Sequence, residues 1–146
     1  MNMNRAQEAS YFLLRVIAGL LFFQAGSMKL FGWFGGLPSA PGSTAPLLSQ
    51  LGVGGLLEVS GGLAIMLGLM VRPVAFILSG EMAVAYWQFH APNGFWPIQN
   101  HGEPAVLFCF LFLYMAARGA GGWSLDALFQ RRRQVTEEPE LLRSHH

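Results

Sequence analysis

Apolar residues run along this chain in long blocks, without the polar face that marks a water-soluble helix. An α-helix needs about 20 mostly apolar residues to cross the hydrocarbon core of a bilayer. Four blocks approach that length: residues 9–31, 47–70, 73–90 and a shorter one at 103–118. Pro73 and Pro104 open the third and fourth, where a missing N–H leaves no helical bond unmade. The blocks are separated by helix breakers: GWFGGLPSAPGSTAP, the tight turn Val71-Arg72-Pro73, and APNGFWPIQNHG. The pattern predicts an all-α fold, an integral membrane four-helix bundle in residues 1–130. A short interfacial helix capped by Ser124 is expected at 123–130, followed by a cytoplasmic polar tail at 131–146 whose end, TEEPELLRSHH, reads as unstructured.

Arg5 before the first block resembles the start of a signal peptide, but residues 9–31 are too long for an h-region and further blocks follow. The first block is therefore read as a span. Orientation follows from Lys and Arg in the connectors. Arg5, Arg72, Arg118, Arg131, Arg132, Arg133 and Arg143 fall on one side of a four-span arrangement, and the two long connectors carry neither Lys nor Arg. Both termini and the Arg72 turn are expected in the cytoplasm. Trp33, Trp87, Trp96 and Trp123 fall near the expected interfaces, as in an aromatic belt.

Composition agrees. Charged residues make up 12% of the 146 and hydrophobic ones 53%, against about 25% charged in a soluble domain; mean hydropathy is +0.40. The net charge of +1 gives no pull toward nucleic acid. A single cysteine, Cys109, excludes an intrachain disulfide and a Cys-x-x-Cys redox pair.

Three charges lie where lipid would otherwise be: Arg15, Glu58 and Glu81. Each costs roughly 3 kcal/mol at mid-membrane on insertion scales, so each should face the helix interior. Arg15, Ala18, Gly19, Phe22, Gly26 and Lys29 share one helical stripe; Gly54, Glu58, Gly61 and Gly68 share another, and Glu81, Ala85 and Gln88 a third. Counted from the cytoplasmic ends, Arg15 lies about 9 Å deep, Glu81 about 12 Å and Glu58 about 18 Å. An Arg15 pair with Glu81 or Glu58 is expected, with the second carboxyl, Glu58 in the first instance, carrying a proton. A structural pair that sets helix register and a proton relay are both open readings.

A second group gathers at the outer end: Lys29, His90, Asn93, Trp96, Asn100, His101 and Glu103. Glu103 suits a helix start, and Lys29 is placed to pair with it or to snorkel to the interface. His90 and His101 complete no metal-ligand set, and no metal is expected. The stripes predict a pocket bounded by Arg15, Phe22, Glu58, Glu81 and Gln88, opening toward Lys29, His90 and Trp96. Residues 91–102 should form an ordered cover.

The runs LLRVIAGLLFFQAGSMKLFGWFGG, GGLLEVSGGLAIMLGLMVRPVAF and EMAVAYWQFHAPNGFWPIQNHGE resemble the DoxX family of bacterial inner-membrane proteins over about residues 10–128. Arg15, Lys29-Leu30-Phe31-Gly32, Glu58-x-x-Gly61-Gly62 and Arg72-Pro73 carry the likeness. Members often have His-Gly before the Lys-Leu-Phe-Gly run, where this chain has Ala25-Gly26. The resemblance implies a multi-pass protein of the plasma membrane and a membrane subunit linked to quinone oxidoreduction, docking a membrane or peripheral redox partner. The chain has no flavin, haem or iron–sulfur motif, so no intrinsic cofactor is expected and the redox group would be a bound quinone. Glu58, Arg15 and Glu81 are the candidate catalytic residues; Lys29, Phe22, Gln88, His90, Trp96, His101 and Glu103 are the candidate ligand-binding ones. A carrier for a small apolar or weakly acidic molecule and a structural or assembly protein are the competing functions. The bilayer and a homo-oligomer are further expected partners.

Overall fold

The computed structural model of the protein describes residues 3–143. It is mostly helical. Helix α1 runs Met3–Phe31, α2 Gln50–Leu67, α3 Val71–Ala85, the short α4 Pro97–Asn100, α5 Glu103–Arg118 and α6 Leu125–Arg143. A two-residue hairpin, β1 Gly36–Leu37 with β2 Ala40–Pro41, sits in the first connector, which the sequence pattern marked only as a turn-rich loop.

The boundaries follow local chemistry. Ser49 caps α2 by accepting the Gly52 N–H at 3.1 Å, so the helix starts three residues later than the apolar block. Gly68, left-handed at φ 71, ends it with its N–H turned back to α2 carbonyls. The chain enters α3 three residues later, at Val71, and Pro73 lies in the first turn as expected. Past Ala85 the backbone widens into a π-turn at Tyr86–His90, which extends the third element to its anticipated end. The anticipated bounds of α5 match the observed ones. The tail departs from expectation. Ser124 Oγ does accept the Ala127 N–H at 3.1 Å, but the helix continues to Arg143 instead of stopping near residue 130. Arg, Gln, Glu and Leu dominate that stretch and are strong helix formers. Residues 144–146 lie outside the described residues.

Two pairs of helices build the core: α1 lies along α2, and α3 along α5, with a looser α2–α3 contact joining them. Glycine makes the first pair tight. A β-carbon on Gly19 would sit 2.5 Å from the Gly62 carbonyl, and one on Gly26 2.6 Å from the Gly55 carbonyl. Between the pairs, Phe22 of α1 packs edge-on to Phe108 and Phe112 of α5 at 5.0 and 4.6 Å. Ile65, Leu78 and Met115 close the core around them.

The exterior is apolar. Leu13, Ile17, Leu56, Phe76, Leu107 and Phe110 are all exposed on the long helices. Helices α1 and α2 are long and apolar enough to cross a membrane. Fewer than half of the residues in those stretches are buried, unlike a core helix of a soluble protein. At 15 and 16 residues, α3 and α5 are shorter.

Candidate functional site

Arg15 is buried but meets no carboxylate. Its Nη1 donates to the Ala120 carbonyl and its Nη2 to the Trp123 carbonyl at 2.7 Å. The expected pair with Glu81 or Glu58 is therefore absent, for two geometric reasons. First, α1 begins at Met3, so its N-terminal turns project beyond the α2–α3 turn, and the Arg15 guanidinium packs on Gly68 in that turn. Glu81 lies ten residues past Val71, about 15 Å further along the axis. Second, side chains on a helix lean toward its N-terminus, which carries Arg15 toward Met3 and away from Glu58.

The same lean brings Lys29 and Glu58 together. Helices α1 and α2 are antiparallel, so Lys29 leans back from the last turn of α1 while Glu58 leans toward it from the middle of α2. The Lys29 ammonium donates to both Glu58 oxygens, at 2.6 and 2.7 Å. The side chains are 20% and 4% exposed. Lys29 thus pairs with Glu58 and not with Glu103, which stays exposed at the start of α5. The signal lay in the glycines: Gly26 meets Gly55, which places Lys29 and Glu58 one turn to either side of that contact on facing helices, so that their leaning side chains converge across it.

Glu81 approaches α2 from α3. A β-carbon on Gly54 would lie 3.1 Å from Glu81 Oε1, so that glycine makes room for the carboxyl one turn from Glu58. The other oxygen, Oε2, is buried with no hydrogen-bond partner. Glu81 and the Lys29–Glu58 pair share a cavity of about 590 Å³. Its remaining wall is mostly apolar, with the rings of Phe22, Phe89 and Phe108, and Ala25 occupies the position noted above. Leu21, Leu51, Ile77 and Val84 line it while remaining 40–52% exposed, so it reaches the apolar exterior between helices.

Of the ligand-binding candidates, Phe22, Lys29 and His90 line the cavity, as do Glu58 and Glu81. His90 Nδ1 lies 3.0 Å from the Asn100 carbonyl, which can only accept, so Nδ1 donates. Gln88 stands at the edge, its Oε1 accepting from Nε2 of the lining residue Gln50. Arg15, Trp96, His101 and Glu103 do not line it. Residues 91–102 fold around buried Asn100, whose Nδ2 donates to the Gly94 carbonyl at 2.6 Å and whose Oδ1 accepts the Gly102 N–H at 2.8 Å. That network turns Trp96 outward, 62% exposed and edge-on to Phe95. His101 is left-handed at φ 57 and exposed. Sequence reasoning missed Gln50, Phe89 and Phe108, which enter the cavity only through the packing of separate helices. Among the described residues, no group of three His, Cys, Asp or Glu side chains is placed to hold a metal ion.

Long apolar helices and an apolar exterior place the chain among helical membrane proteins. The DoxX family matches residues 10–91, more than half of the chain, and the chain belongs to that family. It is similar to a Haemophilus influenzae protein described as uncharacterized, 38% identical over 135 residues that cover 88% of this chain and 98% of the relative. It is also similar to the Escherichia coli protein named inner membrane protein YqjF, 26% identical over 145 residues that cover 89% and 99%. No solved structure matches the chain.

Proposed function

We propose that this DoxX protein lies in the bacterial inner membrane, crosses it four times with both termini in the cytoplasm, and uses the cavity between its helix pairs as a quinone site serving a docked redox partner. The name of the Escherichia coli relative supports the compartment. The connector arginines support the orientation, since Arg72 and Arg118 lie at the end of the helices opposite Lys29. Helix α3 reaches spanning length when its π-turn to His90 is included.

The observation that carries the ligand site is the unpartnered Glu81 oxygen in an apolar cavity that reaches the exterior. Concave, mostly apolar sites of about 300–1,000 Å³ with a few convergent polar groups are the usual form of a small-molecule site. Phe22, Phe89 and Phe108 suit a flat ring, and the Lys29 ammonium suits a ring carbonyl. Glu81 replaces Glu58 as the proton-handling group, because Glu58 is already neutralised by Lys29. A neutral Glu81 donates a hydrogen bond to the second carbonyl and passes its proton there as electrons arrive from the partner. Arg15 has no part in this chemistry; its role is to hold residues 120–123 against the inner end of α1.

The experiment is organic extraction of purified protein and quantification of quinone per chain. Wild type is expected to retain quinone well above the level in the surrounding lipid, and Gly54→Leu, which fills the cavity beside Glu81, to lose it. Equal quinone in both proteins would overturn the reading. The opening to the lipid-facing surface favours a second function, a carrier for a small apolar molecule, and a different apolar compound recovered from wild type but not from Gly54→Leu would select it.

A further inference from the structure

The charges around the cavity do not balance. Its lining holds one lysine and two carboxyl groups, with His90 as the remaining ionisable side chain. Lys29 of α1 sits on both oxygens of Glu58 of α2, so that cation is already matched. Helix α5 contributes Pro104, Ala105 and Phe108, none of which is charged. His90, at the end of the π-turn, commits its Nδ1 proton to the Asn100 carbonyl. Glu81 is left without a counter-charge, one oxygen buried and unpartnered. A carboxyl in that position is stable only with a proton or with a cation brought from outside.

The walls narrow the choice of cation. An inorganic ion such as Ca²⁺ needs six or more oxygen ligands, and Glu81 is the one carboxyl here not already held by a cation. An organic cation needs one counter-charge and apolar surface. The faces of Phe22, Phe89 and Phe108 attract cations through their ring quadrupoles, and Leu51, Leu57, Met82 and Val84 accommodate apolar substituents. We propose that the cavity binds a lipophilic organic cation, a hydrophobic amine, quaternary ammonium or phosphonium, with Glu81 as its counter-ion. The cation enters from the lipid side, where Leu51 and Val84 line the cavity and are exposed. Glu81 gives up its proton on entry, so the site exchanges one for the other. The inference uses the cavity but not its quinone chemistry.

Tetraphenylphosphonium tests this, because its charge does not titrate. Binding is measured to full-length protein in neutral-lipid nanodiscs, with empty nanodiscs to subtract partitioning. Wild type is expected to show saturable one-to-one binding that tightens by about tenfold per pH unit until Glu81 is ionised, the mark of one displaced proton. Glu81→Gln should weaken binding by at least about tenfold and abolish its pH dependence, while Glu81→Asp keeps it. Binding of a short-chain neutral quinone analogue to wild type is measured alongside, and a single elution peak with wild-type helical circular dichroism reports whether the variants are folded. No saturable binding to wild type, or equal pH-independent binding to a folded Glu81→Gln, would overturn the proposal. Phosphonium binding without quinone binding would leave it standing and defeat the quinone reading; the reverse result would defeat the cation site alone.

Discussion

Lys29 and Arg15 stand on the same face of α1, about four turns apart, yet their charges are handled in different ways. Lys29 meets a carboxylate across the helix interface. Arg15, 1% exposed, donates from both Nη atoms to backbone carbonyls of the segment that follows α5, and its buried Nε is left without a partner. Removing one partner of a buried ion pair costs about 3–5 kcal/mol, because the other is stranded, whereas replacing both by apolar groups is often neutral. Lys29→Met is therefore expected to destabilise the protein by about 3 kcal/mol or more, and Lys29→Met with Glu58→Leu to recover most of that loss. Thermal unfolding in detergent checks this. A double variant as weak as the single one would show that Glu58 is not what Lys29 neutralises.

Helix contact rests on glycines whose roles differ by face. Gly19 and Gly62 bring the α1 and α2 backbones together, whereas a β-carbon on Gly80 would meet nothing within 4 Å. Gly19→Val is expected to force the helices apart and cost about 1–3 kcal/mol, the usual range for overpacking. Gly80→Ala should be neutral or stabilise by up to about 1 kcal/mol through helix propensity. Melting temperatures in the same detergent measure both, and equal losses would mean that the two faces are not distinguished by packing. The loop at 91–102 depends on one side chain. Asn100 is 4% exposed and bonds to Gly94, Gly102 and Tyr86. Asn100→Ala is expected to open residues 91–102 to protease added to detergent-purified protein, with cleavage at least tenfold faster than in wild type. Unchanged cleavage would place the order of this loop elsewhere, for example in the Tyr86 hydroxyl bond to the Phe95 carbonyl at 2.6 Å.

At the scale of the molecule, the end that carries the α2–α3 turn is tied together by the segment after α5. Asp126 of α6 accepts the Met70 and Val71 N–H groups at 2.9 and 3.2 Å and so caps α3. Arg72 donates to the carbonyls of Ala116 and Ala117 at the end of α5, and Arg118 pairs with Glu8 at 2.8 Å. These contacts gather the basic residues of the α2–α3 turn and of α5 at one end. A fluorescent protein fused after His146 is expected to fold and fluoresce, as it does in the cytoplasm, and alkaline phosphatase inserted near residue 40 to be active. A dark C-terminal fusion with an inactive insertion would reverse the orientation. Alkaline phosphatase active near residue 40 but inactive near residue 95 would remove the third span.

The sequence by itself determined the apolar blocks, the places where the chain turns, the bounds of α5, and the presence of Glu58, Glu81, Lys29 and His90 among the candidate site residues. These are local properties: hydrophobic runs, glycine and proline chemistry, and helical periodicity act within a few residues. Partner choice was not local. Depth in the bundle depends on where each helix begins relative to its neighbours and on the lean of its side chains, and neither is carried by a run of residues. Only the tertiary structure showed α1 projecting past the α2–α3 turn, Arg15 leaning toward carbonyls, and Lys29 leaning down to Glu58. The cavity depends on the space left between two tightly packed helix pairs, a distance set by Gly19–Gly62 and Gly26–Gly55 on one side and by aromatic rings on the other. Such spacing emerges from all the contacts together, so no single stretch of chain could announce it.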